Sequence, residues 1–113
     1  MDFIKEKIGI IVVETVNLNR ATLKEAENLK QTLAKDIEEG CRKLIVDLSQ
    51  CEFIDSTFLG ALVVSLKKVN ALGGELKLVG FQPTVRAMFE LTRMFRVFET
   101  YPSKQEAISS YNL

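Results

Sequence analysis

The sequence predicts a compact α/β domain with a mixed β-sheet, in which an N-terminal hairpin precedes parallel strands covered by about four helices. Apolar, β-branched runs alternate along the chain with stretches of helical spacing, which is typical of parallel strands with right-handed crossovers. The first two strand-like runs are joined by a tight link, which favours an antiparallel hairpin. With 113 residues and no repeat or linker, we expect one domain over residues 1–113.

The first half of the chain predicts two strands and a helix. Residues 3–7 and 10–16 form the strand-like runs, with a glycine between them. Thr22 and Glu25 have the spacing of a capping box, in which each side chain reaches a free amide of the first helical turn. The helix that follows ends at Gly40, and its apolar residues recur at helical spacing: Leu23, Ala26, Leu29, Leu33 and Ile37.

The second half continues the alternation of strands and helices. Residues 44–46 are continuously apolar, which indicates a central strand buried on both faces. Asp55 and the residues after it begin a helix whose core stripe is expected at Leu59, Leu62, Val63 and Leu66. The remaining predicted elements are a strand at residues 76–79, a helix from Pro83, a last strand at residues 95–98 and a helix opened by Ser103.

Composition excludes several classes of function. Fifteen basic residues balance fifteen acidic ones, so the chain has no general attraction for nucleic acid or anionic membrane. Histidine is absent, which removes the commonest general base and nitrogen ligand, and we expect no metal. Cys41 and Cys51 lack a CxxC spacing, and no signal peptide or apolar run of about 20 residues is evident. We therefore expect free thiols, no membrane association and a cytoplasmic protein.

Possible chemistry is concentrated in Asp55, Ser56 and Thr57, where a strand leads into a helix. These residue types are preferred helix caps, because their oxygens accept from first-turn amides. A serine hydrolase needs a base, and Ile54 and Phe58 occupy the glycine positions of the G-x-S-x-G motif, so we do not expect an enzyme. A phosphate-binding loop needs glycines before its helix, which this stretch lacks.

A modification site is a further interpretation of the same stretch. A kinase can reach an exposed serine at a helix start, and a phosphate adds a charge of roughly −1.5 to −2. The helix N-terminus partly stabilises that charge, while Asp55 repels it. The effect on the fold is then small, and the effect on a partner docked there is large.

Residues 45–49 (IVDLS) and 53–60 (FIDSTFLG) resemble the signature of STAS domains, specifically bacterial anti-sigma factor antagonists. The family pattern is an apolar strand, Asp-Leu-Ser, a hydrophobic pair and then Asp-Ser-Ser/Thr-Gly-Leu-Gly. Leu18 and Asn19 resemble an earlier Leu-Asp turn of the family, and the element order matches from about residue 3 to residue 110. The resemblance implies a single STAS-like domain that switches partners and catalyses nothing.

The resemblance also implies how the switch operates. The unmodified protein binds an anti-sigma factor, often itself a serine kinase, and thereby frees the sigma factor. The kinase phosphorylates Ser56, with Thr57 as the second choice, and a phosphatase restores the active form. ATP and magnesium belong to the kinase, so this chain needs no cofactor. The partner-binding residues implied are Asn19, Asp55, Ser56, Thr57, Phe58 and Ala61.

Two residues depart from the family pattern. Phe58 stands where the family has glycine, and it is either an exposed partner anchor or a flank of the core stripe, about 100° of helical rotation from Leu59. Asn19 stands where the family usually has aspartate, which keeps the turn chemistry but loses a charge. Phe58 motivates an alternative function, a STAS-fold scaffold or ligand-sensing subunit that phosphorylation does not control.

Overall fold

The computed structural model describes residues 1–111 of the chain. The strands within these residues are β1 (Phe3–Ile8), β2 (Ile11–Val16), β3 (Arg20–Ala21), β4 (Lys43–Asp47), β5 (Phe53–Ile54), β6 (Glu75–Val79) and β7 (Glu99–Tyr101). The helices are α1 (Leu23–Glu38), α2 (Ser56–Ala71), α3 (Pro83–Leu91) and α4 (Lys104–Ser110), with a 3-10 helix at Met94–Arg96.

Five strands form one mixed sheet in the order β1-β2-β4-β6-β7. β1 and β2 are antiparallel, and the other neighbours pair in parallel. Gly9, with a φ of 60°, lies in the turn that joins the first two strands, a backbone conformation that glycine adopts without steric cost. The hairpin and the parallel strands confirm the predicted fold class. β3 and β5 form a separate two-stranded parallel pair.

The two faces of the sheet carry cores of unequal size. Leu44 and Val46 of β4 face the larger core, beneath α1, α2 and α3, while Ile45 faces a smaller core with Ala107 and Tyr111 at the α4 end. All three β4 residues have 0% exposed surface, which confirms a central strand buried on both faces. The Tyr111 hydroxyl donates to the Leu44 carbonyl at 2.5 Å, so the end of α4 is anchored to the sheet.

A buried charged cluster lies between the hairpin and α1. Glu14 of β2 and Asp36 of α1 retain only 1% and 2% of their surface, and Lys5 Nζ lies 2.6 Å from Asp36 Oδ1. Burial, and then the neighbouring Asp36 carboxyl, raise the pKa of Glu14 to about 8. Hydrogen bonding to Asp36 raises the pKa of Lys5. The hydrophobic periodicity of the sequence gives no sign of this cluster.

The predicted last strand is wrong. Residues 95–98 were expected to alternate on a strand, but the 3-10 helix ends at Arg96 and the strand starts at Glu99. The rings of Phe95 and Phe98 instead pack against Phe89. Their centroids lie 5.5 and 6.0 Å from the centroid of the Phe89 ring. Apolar residues at 95, 97 and 98 fit one helical turn as well as they fit a strand, and the aromatic packing decides between them.

Helix α1 differs from its predicted stripe at one residue. The capping box is present, and the Glu25 carboxylate accepts from the Thr22 amide at 2.9 Å. Leu23 was expected in the core but leaves 66% of its surface exposed, because it is the first residue of the helix and precedes the turn that meets the sheet. The other predicted core residues of α1 are buried.

The structure also bears on the expectations from composition. Cys41 and Cys51 are free thiols, as predicted, and burial raises the pKa of both. No helix within residues 1–111 is long and apolar enough to cross a membrane. In the same part of the chain, no three side chains of the metal-binding types come together.

Candidate functional site at the start of helix α2

The candidate site lies beyond the carboxyl ends of β4 and β6, the edge at which α/β sheets usually carry their sites. The Asp47 carboxylate accepts from the Ser49 amide at 2.8 Å, and the Gln82 side-chain amide donates to the Ser49 carbonyl at 2.9 Å. Gly80 has a φ of 72°, and a Cβ there would lie 2.6 Å from Ser49 Cβ. The loops after β4 and β6 therefore lie so close together that only glycine fits at position 80.

The short β3–β5 pair joins the Asn19 turn to the start of α2. The Asn19 carbonyl accepts from the amides of Glu52 and Phe53 at 2.8 and 3.1 Å. The Asp55 amide donates to the Ala21 carbonyl at 3.3 Å. Two segments that are more than 30 residues apart in the sequence thus form one surface. The sequence contained Asn19 and Asp55 as separate candidates, and the structure brings them together.

Asp55 caps two helices at once. Its Oδ1 accepts from the Phe58 amide at 2.9 Å, which is the N-cap bond of α2. Its Oδ2 accepts from the Leu23 amide, the first residue of α1, also at 2.9 Å. The carboxylate therefore stabilises the positive ends of both helix dipoles. The cap of α2 confirms the prediction, while the bond to α1 was not anticipated, since it depends on the packing of the two helices.

Ser56 and Thr57 occupy the first two positions of α2, and both side chains are exposed. Neither hydroxyl forms a hydrogen bond with the described residues 1–111. The hydroxyl of Ser56 is therefore accessible to a modifying enzyme, and it lies beside a carboxylate that is already occupied as a cap.

Phe58 is in the core, so the expectation that it contacts a partner is wrong. Its ring has 0% exposed surface. Phe58, Leu62 and Ser65 are spaced at 4 and 3 residues along the helix and are all buried on the same face of α2. Of the two interpretations left open for this residue, packing beside the core stripe is the one observed. Ala61 keeps 3% of its surface, too little to anchor a partner by itself.

A groove of about 360 Å³ runs between α1 and α2 beside the exposed hydroxyls. Two exposed aliphatic side chains border it, Leu23 at 66% and Val64 at 52% exposed surface. Gly60 also lines the groove, and a Cβ there would have no atom within 4 Å. The complete lining is Leu23, Ala26, Glu27, Lys30, Thr57, Gly60, Ala61 and Val64. Leu23 was predicted in the core, and Gly60 and Val64 were not predicted to line a surface.

One signal in the sequence pointed to this groove. Val64 lies outside the predicted stripe of α2, so its exposure follows from helical periodicity. The spacing of Leu23 matched the stripe of α1, and only the three-dimensional packing shows that it is exposed. Two aliphatic side chains with Gly60 between the helices make the groove an apolar surface suited to contact with another protein.

Comparison with known proteins identifies relatives over most of the chain. The family model described as the STAS domain matches residues 21–107. BtrV of Bordetella bronchiseptica, provisionally named an anti-sigma factor antagonist, is 29% identical over 76% of this chain and 74% of its own. The anti-sigma-B factor antagonist of Staphylococcus aureus is 33% identical over 57% of this chain and 59% of its own, less than two-thirds of that protein.

Solved structures show the same architecture. A Thermotoga maritima protein, provisionally named an anti-sigma factor antagonist, superposes with a TM-score of 0.88 at 26% identity, covering 98% of this chain and 95% of its own. The anti-sigma factor antagonist SpoIIAA in its unphosphorylated form superposes with a TM-score of 0.83, covering 97% and 96%. At 20% identity the likeness to SpoIIAA concerns the fold alone.

Proposed function

Because the chain belongs to the STAS domain family, we propose that it is an anti-sigma factor antagonist that phosphorylation of Ser56 switches off. The observation that carries the proposal is the exposed Ser56 hydroxyl, which directly precedes Thr57 in the lining of the α1–α2 groove. The proposed partner is an anti-sigma factor that is also a serine kinase, and a phosphatase reverses the modification. ATP and magnesium belong to the kinase, and the protein acts in the cytoplasm without a cofactor of its own.

The groove provides the apolar part of the proposed contact. Leu23 and Val64 present aliphatic surface on its two sides, and Gly60 allows the partner's backbone to come close. Asn19 and Thr57 are exposed polar residues at the same end of the molecule, and they complete a polar rim around an apolar centre. Phe58 has no part in this contact, since its ring is enclosed.

The proposed switch works by charge at the rim of that contact. A phosphate on Ser56 adds roughly −1.5 to −2 charges where the partner must exclude water. In the free protein the charge is hydrated and lies at the N-terminus of α2, so the fold tolerates it. In the complex it requires desolvation or a new basic contact, and the complex dissociates. Asp55, which remains occupied as a cap, adds a second negative charge beside it.

SpoIIAA offers a parallel to this proposal. That protein is an anti-sigma factor antagonist by name, and it has been solved in unphosphorylated and phosphorylated forms. Its identity to this chain is 20%, so it supports a switch of this type without identifying the acceptor residue here. The acceptor is proposed from the exposure of Ser56 and its match to the family motif.

A kinase assay tests the proposal. The chain is mixed with the serine-kinase anti-sigma factor encoded nearest to it in its genome, with and without magnesium and ATP. We expect a complex by size-exclusion chromatography without ATP, and phosphate on Ser56 by mass spectrometry with ATP. Ser56→Ala should remove the phosphate, and Thr57→Ala, the matched control, should keep it. No complex in the unmodified state, together with no phosphate on Ser56, would exclude this function.

A charge substitution separates the switch from the fold. Ser56→Asp should weaken the complex at least tenfold while changing the melting temperature little, because aspartate is tolerated at the first turn of a helix. Unfolding of this variant would instead make Ser56 a structural residue. The alternative function, a scaffold or ligand-sensing subunit, was motivated by Phe58 in place of the family's glycine. Because Phe58 is buried, its ring offers that alternative no contact surface.

A further inference from the structure

A second surface lies at the end of α3 and in the 3-10 helix, away from the Ser56 site. We call Arg86, Leu91, Arg93, Arg96 and Val97 the arginine surface, and all five side chains are exposed. None of its three arginines has a carboxylate within 4.0 Å among residues 1–111. Glu90 lies four residues after Arg86 on α3 but does not approach it that closely. Glu90 and Glu99 are exposed in the same stretch, and Glu99 lines a groove with Val97. The three arginines therefore outnumber the carboxylates by one, in a chain of zero net charge.

Arg86 is held in place by aromatic rings. Its Cζ lies 5.8 Å from the ring centroid of Phe81 and 5.7 Å from that of Phe95. Both rings pack against the buried Phe89, with centroids 5.0 and 5.5 Å away. A guanidinium stacked on fixed rings loses less freedom when it binds than a free side chain does. The position of Arg86 is thus set before any partner arrives.

Arg93 occupies a backbone conformation that favours glycine. Its φ and ψ are 59° and 28°, in the left-handed region, immediately after the last turn of α3. Glycine is the usual residue at such a helix end, since any side chain is strained there. Arginine gains no ion pair within residues 1–111 that would offset this strain. A strained non-glycine residue is a reason to look for a function of its side chain.

Exposed aliphatic groups accompany the arginines. Leu91 leaves 85% of its surface exposed and Val97 leaves 47%. A guanidinium matches a carboxylate in two parallel hydrogen bonds, and the aliphatic groups match apolar side chains between such carboxylates. We propose that the arginine surface binds an acidic segment of a second protein, with aspartate or glutamate on the arginines and an aliphatic residue on Leu91 and Val97. The zero net charge and the apolar component favour a protein over nucleic acid.

Val97 is the part of the arginine surface that lies far from Ser56. It lines a groove with Leu66 and Asn70 in the last turns of α2. Ser56 and Asn70 are 14 residues apart, which corresponds to about 21 Å along the axis. Arg86 lies nearer the candidate site, since it contacts Phe81 and its amide donates to the Gln82 carbonyl. The proposal does not depend on the proposed switch.

A peptide titration tests the arginine surface. The probe is a fluorescein-labelled peptide of the sequence EELEELEE, and its anisotropy is followed as protein is added. We expect binding that weakens as salt rises, and a loss of at least tenfold in the Arg86→Gln/Arg96→Gln variant. Lys7→Gln/Lys24→Gln removes two exposed charges elsewhere and should bind as the unaltered protein does. No binding, or equal binding by both double variants, would overturn the proposal.

Arg93→Gly tests the proposal with a variant that is expected to fold. Glycine relieves the left-handed backbone, so the melting temperature should rise by a few degrees while the peptide binds several-fold more weakly. Unchanged peptide binding would show that the Arg93 side chain is not used.

Two further ligands and one variant complete the test. Tighter binding to phosphatidylserine vesicles or duplex DNA, lost in the same arginine variants, would assign the surface to lipid or nucleic acid and overturn a protein partner. Ser56→Asp should leave peptide binding within twofold, since the sites are separate. A larger change would overturn their independence.

Discussion

At the scale of single residues, Phe58 shows how one substitution in a motif changes its physical meaning. The family pattern has glycine at this position, at the start of a helix that meets a partner. Here the ring points into the main core with Leu59 and Leu62. The departure from the pattern therefore adds to the core of the protein and leaves its surface nearly unaffected.

The burial of Phe58 leads to a stability prediction. Phe58→Ala should lower the free energy of unfolding by about 3–5 kcal/mol, because a fully buried ring leaves a cavity. Urea denaturation followed by circular dichroism measures this loss. Leu23→Ala, a truncation at the exposed rim of the groove, should cost well under 1 kcal/mol and serves as the control. Similar losses in the two variants would contradict the burial of Phe58.

Gly60 offers a substitution that should stabilise the protein and weaken its binding to the partner. Gly60→Ala should raise the free energy of unfolding by about 0.5–1 kcal/mol, because alanine is the better helix former and its Cβ meets no atom within 4 Å. The added methyl group narrows the groove, so affinity for the anti-sigma factor should fall several-fold.

Gly80→Ala is the matched contrast for Gly60→Ala. The new Cβ would lie 2.6 Å from Ser49 Cβ at a positive φ, so this variant should be less stable than the unaltered protein. Calorimetry and a binding titration on both variants check the pair. A Gly60→Ala protein that is more stable and binds normally would exclude the groove as the contact surface.

At the scale of elements, the hairpin is joined to α1 through the buried Glu14, Asp36 and Lys5 cluster. Three ionisable groups meet there, and two of them retain 2% of their surface or less. Such groups are costly to bury unless they are paired or neutral. The packing of the hairpin on α1 therefore depends on protonation.

The raised pKa of Glu14 gives the sign of that dependence. Between its ordinary pKa of 4.5 and about 8, the folded protein holds a proton that the unfolded chain has released. The contribution of Glu14 to the free energy of unfolding is therefore greatest below pH 4.5 and is lost as pH rises to about 8, by up to ~1.4 kcal/mol per unit.

A neutral substitute for Glu14 removes this dependence. Glu14→Gln should flatten the fall in stability between pH 5 and 8 and should be more stable than the unaltered protein at pH 8. Urea denaturation at pH 5, 6, 7 and 8 measures the slopes. Glu38→Gln, at an exposed position of α1, should keep the original slope. Equal slopes for Glu14→Gln and the unaltered protein would rule out Glu14 as the group responsible.

The elements differ in how far the sequence predicted them. Strand β4 and helices α1 and α2 follow from continuous apolar runs, periodicity and caps, all of which are local signals. β3 and β5 have only two residues each and exist because the Asn19 turn meets the segment before α2. A pairing of distant segments leaves no local pattern, and the same is true of the Glu14 and Asp36 cluster.

At the scale of the whole molecule, the two proposed binding surfaces lie on different elements, the Ser56 site on α1 and α2 and the arginine surface on α3 and the 3-10 helix. The motif predicted the Ser56 end, because it contains the hydroxyl and the capping residue in consecutive positions. It did not predict the groove, whose sides belong to different helices. The arginine surface was missed for a similar reason, since Arg86 comes close to the 3-10 helix only through its contact with the Phe95 ring.

The double cap at Asp55 would make the proposed phosphorylation of Ser56 depend on the folded state. A kinase that pulled residues 54–58 into an extended conformation would break the carboxylate bonds to Leu23 and Phe58 together. We therefore expect the kinase to recognise Ser56 on the intact helix start. A synthetic peptide of residues 50–62 should be phosphorylated at least tenfold more slowly than the folded protein, measured by phosphate incorporation at equal concentration. Equal rates would show that the kinase reads a linear sequence.

That dependence would make the proposed modification a report on conformation. A damaged or incompletely folded copy has neither the helix start nor the groove, so the kinase would neither bind nor phosphorylate it. The phosphorylated pool would then contain only molecules that had been able to bind the partner. Asp55, which caps two helices, would thus keep misfolded copies out of the phosphorylated pool.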